Sequence, residues 1–192
     1  MSEILNKAKL LEKIADEIKN CEECKKGKFG LPVPGKGNPN AKIIFLGESP
    51  GPQESVKGEP FVGPSGKFLD KLLDSIGIKR EDVFITSPLK YYPGRRAPTN
   101  EEIMHGMIHT SKQIEIINPK LIVMLGNVAL KALFPNEKFT VTEIHGRLIE
   151  KNNRIYFPTF HPSAARRFPK IREKMLQDFK KLKLLIDKLK LR

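Results

Sequence analysis

Residues 120–126, KLIVMLG, decide the fold class of this chain. Five consecutive apolar residues between a lysine and a glycine are typical of a strand that is buried on both faces. Strands of that kind lie at the centre of parallel sheets, which helices cover on both sides. The stretch therefore predicts a layered α/β protein.

The sequence on both sides of this strand alternates between strand-like and helix-like patterns. Strand-like runs lie at residues 41–46, 83–86 and 154–160, and helix-like runs lie at 65–76, 127–134 and 170–192. Thr99 and Glu102 have capping-box spacing, which opens a further helix. We expect one domain over residues 1–192, a three-layer α/β/α fold with a mostly parallel sheet. A helix at residues 1–20 is expected to pack against the closing helix.

The composition favours a polyanionic partner. The 192 residues include 35 Lys and Arg against 22 Asp and Glu, a formal net charge of +13. This balance suits nucleic acid above all, although Lys- and Glu-rich surfaces also occur on heat-adapted proteins. No apolar run is long enough to cross a bilayer, and the N-terminus lacks a signal-peptide pattern. We expect a cytoplasmic monomer.

Four loops follow the predicted strands, and their contents differ from ordinary turns. They are GESPGPQES (47–55), SPLKYYPGRRAP (87–98), GN (126–127) and HPSAARRFP (161–169). Because ligands bind at the carboxyl ends of the strands in open α/β sheets, we expect these loops to form one site.

The side chains in and near these loops suit a particular ligand. Glu48, Glu54, Phe61 and His161 offer carboxylates, an aromatic plate and a hydrogen-bonding ring, which suit a flat heterocycle with carbonyl groups. The neighbouring cations suit phosphates, and they are Lys90, Arg95, Arg96, Arg166 and Arg167.

The chain contains two cysteines, Cys21 and Cys24. A C-x-x-C pair is compatible with half of a metal site, a redox pair or a disulfide. Two thiolates alone complete neither a tetrahedral zinc site nor a four-cysteine cluster.

Several stretches together resemble the family 4 uracil-DNA glycosylases over nearly the whole chain. They are GESPGPQE, GEPFVGPSGKFLDKLLDSIGI, REDVFIT, IINPKLIVMLGNVALKALF and PTFHPSAARR. The resemblance implies base excision repair, in which a uracil is flipped out of DNA and its N-glycosidic bond is hydrolysed.

The resemblance also implies roles for individual residues. Phe61 would stack on the uracil, and the main chain of residues 47–49 (Gly47, Glu48 and Ser49) would bind its polar edge. Glu54 would position or activate water, and His161 would donate to O2 of the leaving base. Arg166 and Arg167 would hold phosphates, with Phe168 as a candidate wedge. No lysine suits Schiff-base chemistry, so a monofunctional enzyme is expected.

Two departures from the family pattern stand out. Cys21 and Cys24 match two ligands of the family's [4Fe–4S] cluster, but Tyr91 and Gly106 stand at or near the positions of the other two. We expect that the cluster is lost and that apolar packing replaces it, leaving a disulfide or free thiols. Ligation that includes the nearby His105 and His109 is not expected.

The second departure is Ser87, where the family usually has the asparagine that reads the uracil edge. Serine makes fewer hydrogen bonds, so other deaminated bases such as hypoxanthine or xanthine are candidate substrates. An alternative function is a non-catalytic module of the same fold that binds DNA or a damaged base. An unrelated nucleotide-binding α/β protein is a third, but no phosphate-binding glycine motif supports it.

Overall fold

A six-stranded mixed sheet forms the centre of the molecule. The computed structural model describes residues 2–191, with side chains from residue 6 onward. The strands are β1 (Lys36–Gly37), β2 (Ile43–Leu46), β3 (Phe84–Thr86), β4 (Leu121–Leu125), β5 (Ile149–Lys151) and β6 (Arg154–Thr159). They lie in the order β1-β3-β2-β4-β6-β5, with four parallel inner strands and two antiparallel edge strands. The predicted, mostly parallel sheet is confirmed.

Strands β2 and β4 lie at the middle of the sheet, and every residue of both strands is buried. The apolar run at residues 120–126 therefore occupies the central position that its composition predicts. Its neighbours in the core include Phe45 of β2, whose ring stacks on Phe179 at a centroid distance of 6.4 Å.

Nine helices surround the sheet in the described part of the chain. They are α1 (Ser2–Lys19), α2 (Glu22–Lys25), α3 (Pro52–Lys57), α4 (Pro64–Ser75), α5 (Asn100–Ile117), α6 (Asn127–Leu133), α7 (Val141–Ile144), α8 (Pro162–Arg167) and α9 (Pro169–Leu189). A short 3₁₀ turn, Arg80–Asp82, precedes β3.

The helices form two layers because successive crossover connections run in opposite directions along the sheet. The crossover from β2 to β3 runs one way and the crossover from β3 to β4 runs the other way. Since parallel crossovers are right-handed, α4 and α5 cover opposite faces. Helix α8 packs against α4 and α9, whereas α1 packs against α5. In the described residues the N-terminal helix packs mainly against α5. Its expected packing against the closing helix stays a prediction.

The structure also contains elements that the sequence patterns do not predict. Helices α3 and α8 each begin with a proline at their first turn, inside stretches expected to be loops. Strands β5 and β6 form a hairpin across Asn152 and Asn153, whose φ angles of 51° and 59° suit a type I′ turn. No helix in the described residues is both long and apolar enough to span a bilayer.

The sheet brings the predicted loops to one rim. The amide of Gly47 donates to Thr86 O at 2.8 Å, and the amide of Gly126 donates to Thr159 O at 2.9 Å. These hydrogen bonds continue the strand pairing past the strand ends. The residues that follow, including Glu48, Ser87 and His161, therefore meet at the carboxyl edge.

Candidate active site

A cavity of about 270 Å³ lies at this carboxyl edge. Seven residues predicted from the sequence line it: Glu48, Ser49, Glu54, Phe61, Ser87, His161 and Arg167. A volume just below the range of drug-sized ligand pockets suits a single small heterocycle. The structure therefore brings together the side chains that the sequence analysis assigns to one site.

Phe61 forms one wall of the cavity from a constrained backbone. Its φ angle is 52°, a left-handed conformation that bulky residues rarely adopt. The backbone of Phe61 rests on Gly66, where an added Cβ would lie 1.7 Å from the Phe61 carbonyl oxygen. The ring covers Gly47, whose hypothetical Cβ would lie 2.7 Å from Phe61 Cε2. Glycines below and beside Phe61 thus fix the position of its ring.

Glu54 connects the two segments that form the mouth of the cavity. Its Oε2 accepts a hydrogen bond from the Gly51 amide at 3.1 Å, at the N-terminus of α3. Its Oε1 accepts from the Gly63 amide at 2.7 Å, at the N-terminus of α4. One carboxylate therefore holds both helix starts while lining the cavity.

His161 lies opposite, with its ring centroid 5.8 Å from that of Phe61. The Ser163 amide donates to His161 Nδ1 at 3.2 Å, and the Ser163 hydroxyl lies 2.7 Å from the same nitrogen. Because Nδ1 accepts, Nε2 carries the proton of the neutral ring. Burial lowers the pKa of His161 to about 4, so the ring is a neutral Nε2–H donor at neutral pH.

Glu48 and Ser87 complete the polar lining. Burial raises the pKa of the Glu48 carboxyl above its usual range. The Ser87 hydroxyl donates to Leu89 O at 2.7 Å, so its hydrogen is directed away from any ligand. Toward the cavity, the Ser87 oxygen is left as a hydrogen-bond acceptor.

The comparison with known proteins identifies the family of this chain. The sequence model described as "Uracil DNA glycosylase superfamily" matches residues 34–183, which include every cavity residue discussed above. The chain belongs to the uracil-DNA glycosylase superfamily.

Similar proteins of this superfamily come from archaea and bacteria. A protein of Saccharolobus solfataricus is 42% identical, over 90% of this chain and 85% of its own length. Proteins of Archaeoglobus fulgidus and Thermotoga maritima are 40% and 38% identical, over 93% of this chain and 94% and 96% of theirs. All three are named Type-4 uracil-DNA glycosylase.

Lys90 lies inside the protein, whereas a DNA contact would require it to lie on the surface. Its side chain is buried, and Nζ lies within hydrogen-bond distance of Thr86 Oγ1, Gln113 Oε1 and Pro34 O, at 2.9, 3.1 and 3.3 Å. The prediction that Lys90 contacts DNA is contradicted by this burial. A lysine in a loop after a strand is expected to lie in solvent. The residues next to Lys90 in the sequence do not indicate that its amine has partners inside the protein.

The predicted arginines lie on the surface, in different situations. Arg96 makes a bidentate pair with Glu102, at 2.6 and 2.7 Å, whereas Arg95 is exposed. Arg166 and Arg167 are exposed on α8, and Arg167 also lines the cavity. Phe168, the candidate wedge, is exposed beside them.

Sequence analysis misses two contributions to this surface. Tyr92 lines the cavity, although the sequence analysis assigns it no role. A second depression beside the cavity contains four cations, Lys67, Lys71, Arg166 and Arg172. The positions of Lys67 and Lys71 on the exposed face of a predicted helix, four residues apart, are a signal that could have indicated this patch.

A four-cysteine cluster does not fit the residues of this chain. Tyr91 is buried among Ile14, Ile18 and Cys24, and its hydroxyl reaches Lys19 O at 3.4 Å. At Gly106 an added Cβ would lie 2.0 Å from Pro88 O, so no cysteine fits there without movement. Cys21 and Cys24 are not joined by a disulfide.

Proposed function

We propose that this superfamily member is a monofunctional uracil-DNA glycosylase, which hydrolyses the N-glycosidic bond of a uracil flipped out of DNA. The observation that carries the proposal is the convergence of Glu54, Phe61 and His161 on one cavity sized for a small heterocycle. The names of the similar proteins support uracil as the base. Flipping is required because the glycosidic carbon is inaccessible within the base stack.

Phe61 and His161 are proposed to act on the base itself. The Phe61 ring stacks on the flipped uracil, and the main-chain amides of Glu48 and Ser49 bind its polar edge. As the bond from N1 to the sugar breaks, negative charge develops on the uracil oxygens. The Nε2–H of neutral His161 donates to O2, and this donation is strongest in the transition state.

Glu54 is proposed to act on the sugar and the attacking water. The oxygen of water bonds to C1′ as the electron pair of the broken bond leaves with uracil. The carboxylate stabilises the positive charge that develops on the sugar and accepts a proton from the water. That proton finally reaches the departed base, so the products are an abasic site and neutral uracil. The hydrogen bonds from Gly51 and Gly63 hold the carboxylate in position.

Ser87 is proposed to help distinguish uracil from cytosine. Its hydroxyl hydrogen is committed to Leu89 O, so its oxygen offers only lone pairs to the base. The N3 of uracil carries a hydrogen that such an acceptor can bind, whereas the N3 of cytosine is itself an acceptor. This single contact replaces part of the bidentate recognition that an asparagine would provide.

The cations beside the cavity are proposed to hold the DNA backbone. Arg166 and Arg167 end α8, the helix that His161 caps, and the depression with Lys67, Lys71 and Arg172 extends the positive surface. Phosphate contacts of this kind position a duplex without reading its sequence. Phe168, exposed at the end of α8, is the candidate to fill the space of the flipped base.

A lyase activity is not proposed. Burial lowers the pKa of Lys90 to about 7, a shift that often marks a Schiff-base lysine. However, its amine is enclosed by three protein acceptors behind the cavity. Among the described residues, no lysine lines the cavity.

The test is an excision assay on an oligonucleotide with one uracil, followed by alkali to cleave abasic sites. We expect cleavage at the uracil after alkali, no cleavage without alkali, and none with thymine in its place. Binding of the uracil oligonucleotide without any abasic product would instead support the non-catalytic module. Hypoxanthine and xanthine oligonucleotides, assayed in parallel, measure the range of bases.

A further inference from the structure

Four side chains with metal-binding atoms form a cluster outside the active site. Cys21 lies between α1 and α2, Cys24 lies within α2, and His105 and His109 lie on α5. One ligand atom from each residue can be chosen so that all four lie within 4.8 Å of one another. Segments far apart in sequence are thus brought to one point.

The spacing within each pair matches that of structural zinc sites. Cys21 and Cys24 are separated by two residues, and His105 and His109 by three. Structural Cys₂His₂ sites have C-x₂₋₄-C and H-x₃₋₅-H spacings. Because residues at i and i+4 share one face of a helix, both imidazoles of α5 are presented to the two thiols.

Within this cluster, one buried polar atom lacks a hydrogen-bond partner. Cys21 Sγ lies 3.2 Å from His105 Nε2 and accepts a hydrogen bond from the Cys24 amide at 3.4 Å. His109 is buried, with 6% of its surface exposed, and its Nδ1 has no hydrogen-bond partner among the described residues. A buried nitrogen without a hydrogen-bond partner is costly, and a bound ion is one recognised reason for such a group.

An outer carboxylate faces this histidine. Glu17 Oε2 lies 3.7 Å from His109 Nδ1, just beyond hydrogen-bond length. A small movement of His109 would let Nδ1–H donate to Glu17 while Nε2 faces the thiols. Carboxylates that hold metal-binding histidines in this way are common outer partners of zinc ligands.

The separations favour a single ion. Tetrahedral zinc, with bonds of about 2.3 Å to sulfur and 2.0–2.1 Å to nitrogen, places its ligand atoms about 3.3–3.8 Å apart. The four atoms here need only a small contraction to reach that geometry. A two-iron cluster would hold two ligand pairs at a greater separation, and the four-thiolate cluster is excluded by Tyr91 and Gly106.

We propose that Cys21, Cys24, His105 and His109 bind one Zn²⁺ ion in a closed tetrahedral site. Binding releases the two thiol protons, and the two thiolates balance the charge of the ion. The apolar cluster of Ile14, Ile18 and Tyr91 around Cys24 limits access of water. The ion would join α1 and α2 to α5, on the opposite side of the sheet from α8 and α9.

The first experiment measures metal in the protein as purified, expressed with both zinc and iron in the medium. We expect about one zinc and no stoichiometric iron or sulfide per chain. Replacement by Co²⁺ should give the visible bands of tetrahedral cobalt and a thiolate charge-transfer band. Removal of the metal with a strong chelator should lower Tm by about 5 °C or more, and added zinc should restore it.

Variants identify the ligands. Cys24→Ser and His105→Gln should each retain less than about one tenth of the zinc of the wild type, because a ligand is at least as important as the outer partners that contribute 10–100-fold. Ile108→Gln is the matched control, since Ile108 is exposed on the same helix. It should retain full zinc content.

Wild-type protein without zinc, and without cobalt bands after reconstitution, overturns the proposal even if every variant fails to fold. A brown protein with iron and acid-labile sulfide also overturns it, in favour of a cluster. Both readouts are independent of excision activity, so the proposed glycosylase function and the zinc site can fail separately.

Discussion

Ser163 directs two hydrogen-bond donors, its amide and its hydroxyl, at Nδ1 of His161. This relationship fixes the tautomer of the imidazole and makes Nε2–H its donor. Because burial also lowers the pKa of His161 to about 4, the ring remains neutral in weakly acidic solution. The histidine is thus prepared to donate without first gaining a proton.

The first prediction concerns the pH dependence of excision. Since the pKa of His161 lies near 4, kcat/KM should show no histidine ionisation around the ordinary value of 6.5. Measurements of kcat/KM between about pH 5 and pH 8 test this. His161→Ala should lower the rate about 100-fold or more across that range. An ionisation near pH 6.5 that disappears in the variant contradicts the assigned protonation state.

The second prediction separates the structural and chemical roles of Glu54. Glu54→Gln keeps one acceptor oxygen but turns an amide NH₂ toward the amide of Gly51 or Gly63. We expect a loss of about 1–3 kcal/mol in unfolding free energy and a rate loss of about 100-fold or more. Glu59→Gln, in the same segment but paired with Lys36 at the surface, is the control. Full activity in a destabilised Glu54→Gln protein would leave Glu54 a purely structural role.

The third prediction concerns the support beneath Phe61. Gly66→Ala places a methyl group where the Phe61 carbonyl stands, so the loop and its ring must shift. We expect a stability loss of about 1–3 kcal/mol and a fall in kcat/KM of about 100-fold. Asp74→Ala, on the exposed face of the same helix, should leave both unchanged. Equal behaviour of the two variants would show that the position of Phe61 does not matter for excision.

The fourth prediction tests the cations beside the cavity. A plot of the logarithm of the binding constant for duplex DNA against the logarithm of salt concentration has a negative slope. Each lost phosphate contact reduces the magnitude of that slope by about 0.9. Arg166→Gln and Lys67→Gln should each show this change. Arg96→Gln should not, because Glu102 already holds that guanidinium. Binding titrations at several salt concentrations measure the slopes, and a reduced slope for Arg96→Gln alone would relocate the DNA path.

The fifth prediction concerns buried Lys90. Its pKa of about 7 in the folded protein lies below the ordinary 10.5, so between these values the unfolded chain binds a proton that the folded one does not. Stability should therefore rise with pH in that window, by about 1.4 kcal/mol per pH unit. Lys90→Met should lose this rise, and the exposed-site variant Lys57→Met should keep it. Denaturant unfolding at several pH values measures the free energy of unfolding of the three proteins. The same pH dependence in all three would contradict the lowered pKa of Lys90.

The sequence predicts those parts of the fold in which a local run or spacing of residues indicates the structure. The apolar runs of β2 and β4 and the Thr99–Glu102 cap appear in the structure where they are expected. Strands β1 and β5 are only two and three residues long and largely exposed, so no periodic pattern reveals them. The proline starts of α3 and α8 were readable signals, but the surrounding glycines and prolines favoured loops.

Several residues that line the cavity could be named from the sequence, but Tyr92 and the hydrogen bonds of the site could not. Residue types and loop positions are sufficient to place Glu54, Phe61 and His161 together, whereas the burial of Lys90 depends on partners distant in sequence. The His105 and His109 pair shows the same limit. Its spacing is visible in the sequence, but only the packing of α2 against α5 shows that it faces the two cysteines.

Gly47 limits how this enzyme family member can evolve. The Phe61 ring occupies the space that any side chain at position 47 would need. A substitution at this position therefore cannot tune the affinity for a base without displacing Phe61. A change in substrate range must therefore arise at positions that present a side chain to the cavity. Ser87, with its single hydroxyl at the edge of the cavity, is such a position.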